Sequence, residues 1–348
     1  MKARNLLIAF LLLAPPAVSA NDGYGGLTAT GLQFGKSKTI RMLSEDLFLS
    51  PKQVRVRYVF RNDGPKDEQG EVIFPLPPIS LAELQMTGFS IPEEKLNQEN
   101  AVDFIAMVNG KQVAVRTERQ AILEPPWDEQ RTASGRYDAP GKDVTALLQG
   151  YGLPLSFNHT EIAAMVARLP QTTKDRLKTD GLVNFFAGEP PMPQWSIIER
   201  YHWPQTFPAG QNLTIEHRYN PAPPGGIFGW SEQQTAMDAY RQELINTYCI
   251  DAGTQKALGK LLRPKAGKEF SGTGNALYLN YILTTANTWN GPIGTFHLTI
   301  DKGAPHNVLS LCMDGIRKTG PTTFEVEKKN FSPTQDLRLL IVTELDGQ

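Results

Sequence analysis

Apolar and polar residues alternate with period two along much of the chain. In "VRVRYVF", Val54, Val56, Tyr58 and Phe60 fall on one side, with Arg55 and Arg57 on the other. That alternation predicts a half-buried strand. "EVIFPLPP" predicts a second strand, which Pro75, Pro77 and Pro78 end or confine to a sheet edge. "FIAMVNGKQVAVRTE" predicts a hairpin, because two apolar runs meet at Asn109-Gly110, the pair that a type I′ turn prefers. "WSIIERYHW" and "LTIEHRY" continue the β-pattern, the latter aligning Leu213, Ile215, His217 and Tyr219 on one face. Five later runs, "ALYLNYILTTA", "GTFHLTI", "NVLSLCM", "TFEVEKKNF" and "LRLLIVTE", predict a second, mostly antiparallel sheet.

The period changes in two places. Between about residues 142 and 181 the pattern is helical, with Ile162, Val166 and Leu169 on one face. Asn158 with Glu161 predicts its N-terminal cap, and Pro170 its stop. The proline- and glycine-rich "NPAPPGG", residues 220–226, reads as a domain boundary. Beyond it, Met237, Tyr240, Leu244 and Tyr248 share one face of a helix. A shorter helix with Leu258, Leu261 and Leu262 begins at Asp251 and ends before Pro264. The expected fold class is mainly β, a β-rich α+β protein with two sandwich-like antiparallel β domains and helical insertions. The first domain spans 21–225 with the insertion at about 142–181, and the second, 226–348, combines helix with antiparallel sheet.

The first twenty residues change the picture of compartment. Lys2 and Arg4 form a basic start, residues 6–14 an apolar core, and Val18-Ser19-Ala20 a small-residue cleavage site. The apolar run is shorter than the ~20 residues needed to span a bilayer, so cleavage after Ala20 is favoured over an anchor. No later segment is apolar enough to span, so no integral membrane segment is expected after cleavage. In an exported, periplasmic or extracellular protein, the two cysteines, Cys249 and Cys312, read as a disulfide rather than as two buried thiols. The charges nearly cancel, 35 basic against 36 acidic residues, so nucleic acid is not expected as a partner.

Several stretches in order resemble a known family: "MLSEDLFLS", "VRYVFRN", "IFPLPPI", "YHWPQTFPAG", "IEHRYNP", "TYCIDAG", "YILTTANTWNGPIGTFHLTIDK", "LSLCMDG" and "NFSP". The family is the secreted bacterial group catalogued as domain of unknown function 4424. The resemblance implies export and a β-rich fold, and it brings no activity and no catalytic residues.

Candidate chemistry is sparse. "GLQFGKS", residues 31–37, ends like a phosphate-binding loop, but only three residues separate Gly31 from Gly35 and β-like sequence follows. Nucleotide binding is therefore not expected, Lys36 reads as a solvated edge charge, and no cofactor is predicted. None of the five histidines forms a close ligand pair; if two meet, His202 and His217 on neighbouring strands are the candidates. Glu45 and Asp46, and Asp63 and Asp67, are acidic clusters that could hold calcium or stand as solvated turns. Tyr201 and Trp203 share a face that either packs a core or meets a ligand, and Trp289 in its turn is a surface candidate.

These observations point to an exported envelope protein that binds an envelope protein or a glycan without catalysis. Two alternatives stand: a secreted hydrolase whose acid pair comes from distant positions, and a calcium-stabilised structural module. N-terminal sequencing of the exported protein is expected to begin at Asn21; intact Met1 in the membrane fraction would refute the cleaved leader.

Overall fold

The computed structural model describes residues 22–28, 31–86, 91–125, 141–230, 238–264 and 272–345. The leader at 1–20, and Met237 on the expected helix face, lie outside the described residues. The longer strands are β1 (Gly23–Thr28), β2 (Gly31–Phe34), β3 (Ile40–Leu49), β4 (Val54–Asn62), β5 (Glu68–Pro75), β6 (Ile105–Val108) and β7 (Arg116–Leu123). They continue with β8 (Trp195–Phe207), β9 (Asn212–Tyr219), β10 (Gly225–Gly229), β11 (Thr273–Tyr281), β12 (Ile293–Asp301), β13 (Val308–Leu311), β14 (Thr323–Phe331) and β15 (Leu337–Glu344). The helices are α1 (Leu81–Met86), α2 (Thr145–Gly150), α3 (His159–Arg168), α4 (Gln171–Thr179), α5 (Asp238–Tyr248) and α6 (Ala252–Leu261).

The mainly β class holds, and the strands assemble into three principal sheets. A seven-stranded sheet contains the run β7-β8-β5-β1-β2, with the short strands Lys142–Asp143 and Ile79–Ser80 added to it. An eight-stranded sheet contains β14-β12-β3-β4-β9-β6, with Arg317–Lys318 and Lys111–Gln112 at its ends. A four-stranded sheet runs β10-β11-β15-β13. The hairpin at Asn109-Gly110 forms as its turn chemistry requires, with φ of 48° and 76°. Its second strand lasts only two residues before the chain crosses to the seven-stranded sheet. Pro75 ends β5, which lies inside its sheet rather than at an edge.

One expectation is corrected here. The five C-terminal runs do not form one sheet: β12 and β14 join the eight-stranded sheet, and β11, β13 and β15 the four-stranded one. Residues 295–300 of β12 pair in parallel with residues 44–49 of β3. The eight-stranded sheet therefore crosses the boundary expected at residue 225. The physical reason is that period two identifies a buried face without naming the sheet that buries it. In β12, Ile293, Phe296, Leu298 and Ile300 enter the same core as Leu47, Val56 and Tyr58. Gly294 permits the seam, since a Cβ there would stand 2.5 Å from the Leu43 carbonyl oxygen.

Three cores result. The largest lies between the seven- and eight-stranded sheets and is closed by Leu279, Tyr281 and Leu339 of the four-stranded sheet. The helical insertion makes the second. Leu148 of α2, Ile162 and Val166 of α3, and Leu177 of α4 pack on Trp195 and Ile197 of β8. In the same alternation along β8, Tyr201 and Trp203 enter the first core, so one strand face serves both. The third packs α5 and α6 on the four-stranded sheet through Leu244, Leu258, Leu340 and Val342. The expected caps form: Asn158 accepts from the Glu161 amide at 3.0 Å, and Asp251 from the Thr254 amide at 2.7 Å. The Cys249–Cys312 disulfide ties the end of α5 to the segment after β13.

The region that resembled a phosphate loop becomes β2, then a short link, then β3. Lys36 is exposed, and the Ser37 hydroxyl accepts from the Ile40 amide at 3.0 Å. No helix follows to wrap a phosphate. Lys36→Ala is expected to leave chemical denaturation unchanged. Tyr58→Ala, in contrast, is expected to cost about 3–5 kcal/mol, because it empties a fully buried aromatic site.

Candidate functional site

The aromatic and histidine candidates for chemistry, with Glu45, are interior, and Asp46, Asp63 and Asp67 are exposed. Tyr201, Trp203 and Trp289 are each 1% exposed, so their surface role is corrected. Trp289 turns inward because its indole N–H donates to the Asp22 carbonyl, while the Asn290 amide donates to Ile40 O at 2.8 Å. Its ring packs against Phe60 at 4.5 Å and Phe207 at 5.6 Å. His202 and His217 do not meet on neighbouring strands, since β8 and β9 belong to different sheets. Each has its own carboxylate: His202 Nδ1 lies 3.0 Å from Glu71, and His217 Nε2 lies 3.1 Å from Asp22. The His217 ring is enclosed by Tyr58, Phe74 and Phe104.

The acidic candidates, left open as calcium sites or solvated turns, do not gather in one place. Glu45 and Asp46 are neighbours on a strand and point to opposite faces, Glu45 buried and Asp46 exposed. The guanidinium of Arg41, seconded by Arg61 at 3.0 Å, holds the Asp63 carboxyl below its usual range. Asp67 accepts from the Ala209 amide at 2.9 Å. Among the described residues, no three His, Cys, Asp or Glu side chains gather as a metal site requires.

Three carboxyls, Asp22, Glu83 and Glu199, have a raised pKa; Glu83, pushed up by burial and by the charge of Glu124, stands at the surface on α1, and the other two are sealed. Burial pushes Asp22 up against the opposing pull of His217. Burial likewise pushes Glu199 up, opposed by Arg119 and by the Tyr201 hydroxyl, which donates at 2.6 Å. Asp22 is 0% exposed and Glu199 1%, so neither can reach a substrate. Glu199 sits where the first two cores adjoin: Arg119 stacks on Phe157 of the helical core, and Tyr201 stacks on Phe104 of the sandwich.

The accessible chemistry lies on the outer face of the eight-stranded sheet. His297, Asp46, Arg57, Glu216 and Met107 stand in one row across β12, β3, β4, β9 and β6. Two residues along, Thr299, Phe48, Arg55, Arg218 and Ile105 form the next row. Alternation puts both rows outside, because Leu47, Val56, His217 and Leu298 between them face the core. Four of these strands floor a hollow of about 300 Å³, and Met107 stands beside it from the fifth. Its charges are partly matched: Arg57 donates to Glu216 at 3.0 Å, and His297 lies 3.6 Å from Asp46. The Arg55 guanidinium lies over the Phe48 ring at 4.4 Å. An open hollow of about 340 Å³ lies in the helical insertion beside Lys174, Asp175, Lys178 and Phe185, and a cleft at the proline-rich seam of Pro77, Pro221 and Pro224 holds only about 50 Å³, room for little beyond a water or two.

Sequence reading noted Arg55 and Arg57 as the polar side of a strand and missed the site. Arg218, Glu216, Phe48, Met107 and His297 carried no motif. The one available signal was charge on alternate residues of several strands, in "VRVRY", "IEHRY" and "EDLF". What joins them is register, which periodicity does not give.

Residues 20–340 match the model of the family described as domain of unknown function (DUF4424), and the chain belongs to that family. No curated protein matches it. Among solved structures, it is similar to a crystal structure titled as a "putative nutrient binding protein" from Legionella pneumophila subsp. pneumophila str. Philadelphia 1. That likeness has 16% identity, covers 92% of this chain and 72% of the other, and has a TM-score of 0.41. A two-domain M1 zinc metallopeptidase mutant bound to L-tryptophan is similar at 8% identity, over 88% of this chain and 44% of the other, with a TM-score of 0.25. At these scores the likenesses assign no chemistry.

The sealed acids generate a pH prediction. Glu199 has a folded-state pKa above its ordinary value of 4.5, so folding favours its protonated form. Its contribution is then greatest below 4.5 and diminishes as pH rises through the folded value. Glu199→Gln is expected to lose less stability than the wild type between pH 4.5 and pH 7 in urea denaturation. Parallel profiles for the two proteins would contradict this account.

Proposed function

We propose that this protein is an exported, non-enzymatic binding module of the bacterial envelope, and that the outer face of the eight-stranded sheet holds its ligand. The observation that carries the reading is the hollow of about 300 Å³, floored by charged, aromatic and apolar side chains from adjacent strands. That size is at the lower end of small-molecule sites, and sites of this kind combine a few polar groups with apolar surface. The floor is rigid, because each strand in it also supplies residues to the core beneath. Export is supported by the leader-like start and by the disulfide, which suits an oxidising compartment. The partner is a small molecule or the sugar unit of an envelope glycan.

The hydrolase reading is the weaker one, because Asp22 and Glu199 are enclosed in the interior and the third carboxyl with a raised pKa, Glu83, does not line the hollow. Thermal-shift screening against cationic, neutral and anionic metabolites and sugars tests the binding reading. At least one class is expected to raise the melting temperature of the wild type and not of Met107→Trp, which fills the hollow from its rim. Equal responses of the two proteins to every compound would overturn it.

A further inference from the structure

Arg55 and Arg218 are directly opposite each other on β4 and β9, both exposed on the outer face. Facing pairs of this kind have side-chain origins roughly 5 Å apart, and like charges so placed destabilise a sheet. The nearby acids do not relieve them. Glu216 is engaged by Arg57 at 3.0 Å, and Asp46 lies 3.6 Å from His297. Among the described residues, no carboxylate lies within ion-pair distance of Arg55 or Arg218. The positive spot is local, since the chain as a whole has a net charge of −1.

We propose, on the reading that this face is the ligand site, that Arg55 and Arg218 clamp an oxyanion, the carboxylate or phosphate group of a small organic ligand. A guanidinium offers a planar fork of N–H donors that fits either group. Phe48 beneath Arg55 holds that fork in one plane, which lowers the entropy lost on binding. A bound oxyanion turns the facing cations from a repulsive pair into two attractive ones. Arg57, paired with Glu216 in the adjoining row, keeps that carboxylate off the clamp, and Met107 beside Glu216 offers apolar surface to the ligand's body.

Isothermal titration calorimetry of the mature protein at fixed chloride tests the clamp, with inorganic phosphate, hexanoate and uncharged hexanamide as probes. Saturable binding of phosphate, hexanoate or both is expected, with none of hexanamide; the arm that binds tells phosphate from carboxylate. Arg55→Gln and Arg218→Gln are each expected to weaken anion binding at least tenfold. Unliganded Arg218→Gln is expected to melt no lower than the wild type, because it removes a repulsive neighbour, whereas a merely structural arginine would lower the melting temperature when replaced. Absence of anion binding, equal binding of hexanamide, anion binding that survives both substitutions, or a lower melting temperature of Arg218→Gln would each overturn the proposal. If the clamp fails while a neutral compound still distinguishes Met107→Trp, only the clamp falls. If no compound distinguishes that variant, the binding face falls with it.

Discussion

The parallel ladder between β3 and β12 is the constraint on which the rest of the molecule depends. It pairs residues 44–49 with residues 295–300, from opposite ends of the chain. A parallel pair cannot be closed by a tight turn, so a long connection must intervene. Here that connection includes the helical insertion and every strand of the seven-stranded sheet except β1 and β2. The ladder turns a would-be C-terminal strand into the middle of the eight-stranded sheet, and the turn before it delivers Trp289 onto Asp22. It also places His297 beside Asp46, which closes one side of the hollow. A side chain larger than hydrogen at residue 294 would push the seam apart.

The interior polar groups follow from the same closure. Asp22 and His217 are removed from water together, as are Glu71 and His202, and Glu199 with Arg119. Burying such pairs costs desolvation free energy that their attraction only partly offsets, so they are weak sources of stability. Their effect is on register. If β9 slipped by one residue, His217 would turn to solvent and leave the Asp22 carboxylate in an apolar core. Asp22 therefore fixes the start of β1 relative to the opposite sheet, and the Trp289 indole fixes the same residue through its carbonyl.

Local structure was legible in the sequence wherever the signal was local. The alternation at 54–60, the turn at Asn109-Gly110, the caps at Asn158 and Asp251 and the cysteine pair all depend on residues or chemistry that a short window or a simple count contains. Sheet membership was not legible, because "GTFHLTI" and "ALYLNYILTTA" have the same kind of pattern and end in different sheets. Trp289 was misread because a turn next to glycine and proline usually faces water, while this one faces a core opened by a strand 267 residues away. The site was illegible for the same reason: Arg57 and Glu216 are 159 residues apart. No local pattern states that they touch.

Fold and site are nonetheless two readings of one alternation. Val54, Val56 and Tyr58 must face the core, since their burial is what drives β4 into place. Arg55 and Arg57 are then forced outward, and a slip of one residue would bury two guanidiniums and expose three apolar side chains. On β9, Ile215, His217 and Tyr219 impose the same choice, which sends Glu216 and Arg218 out beside them. The core can therefore absorb the cost of two facing cations on its outer surface. The buried side of each strand fixes the register, and the register holds Arg55 and Arg218 together even though they repel.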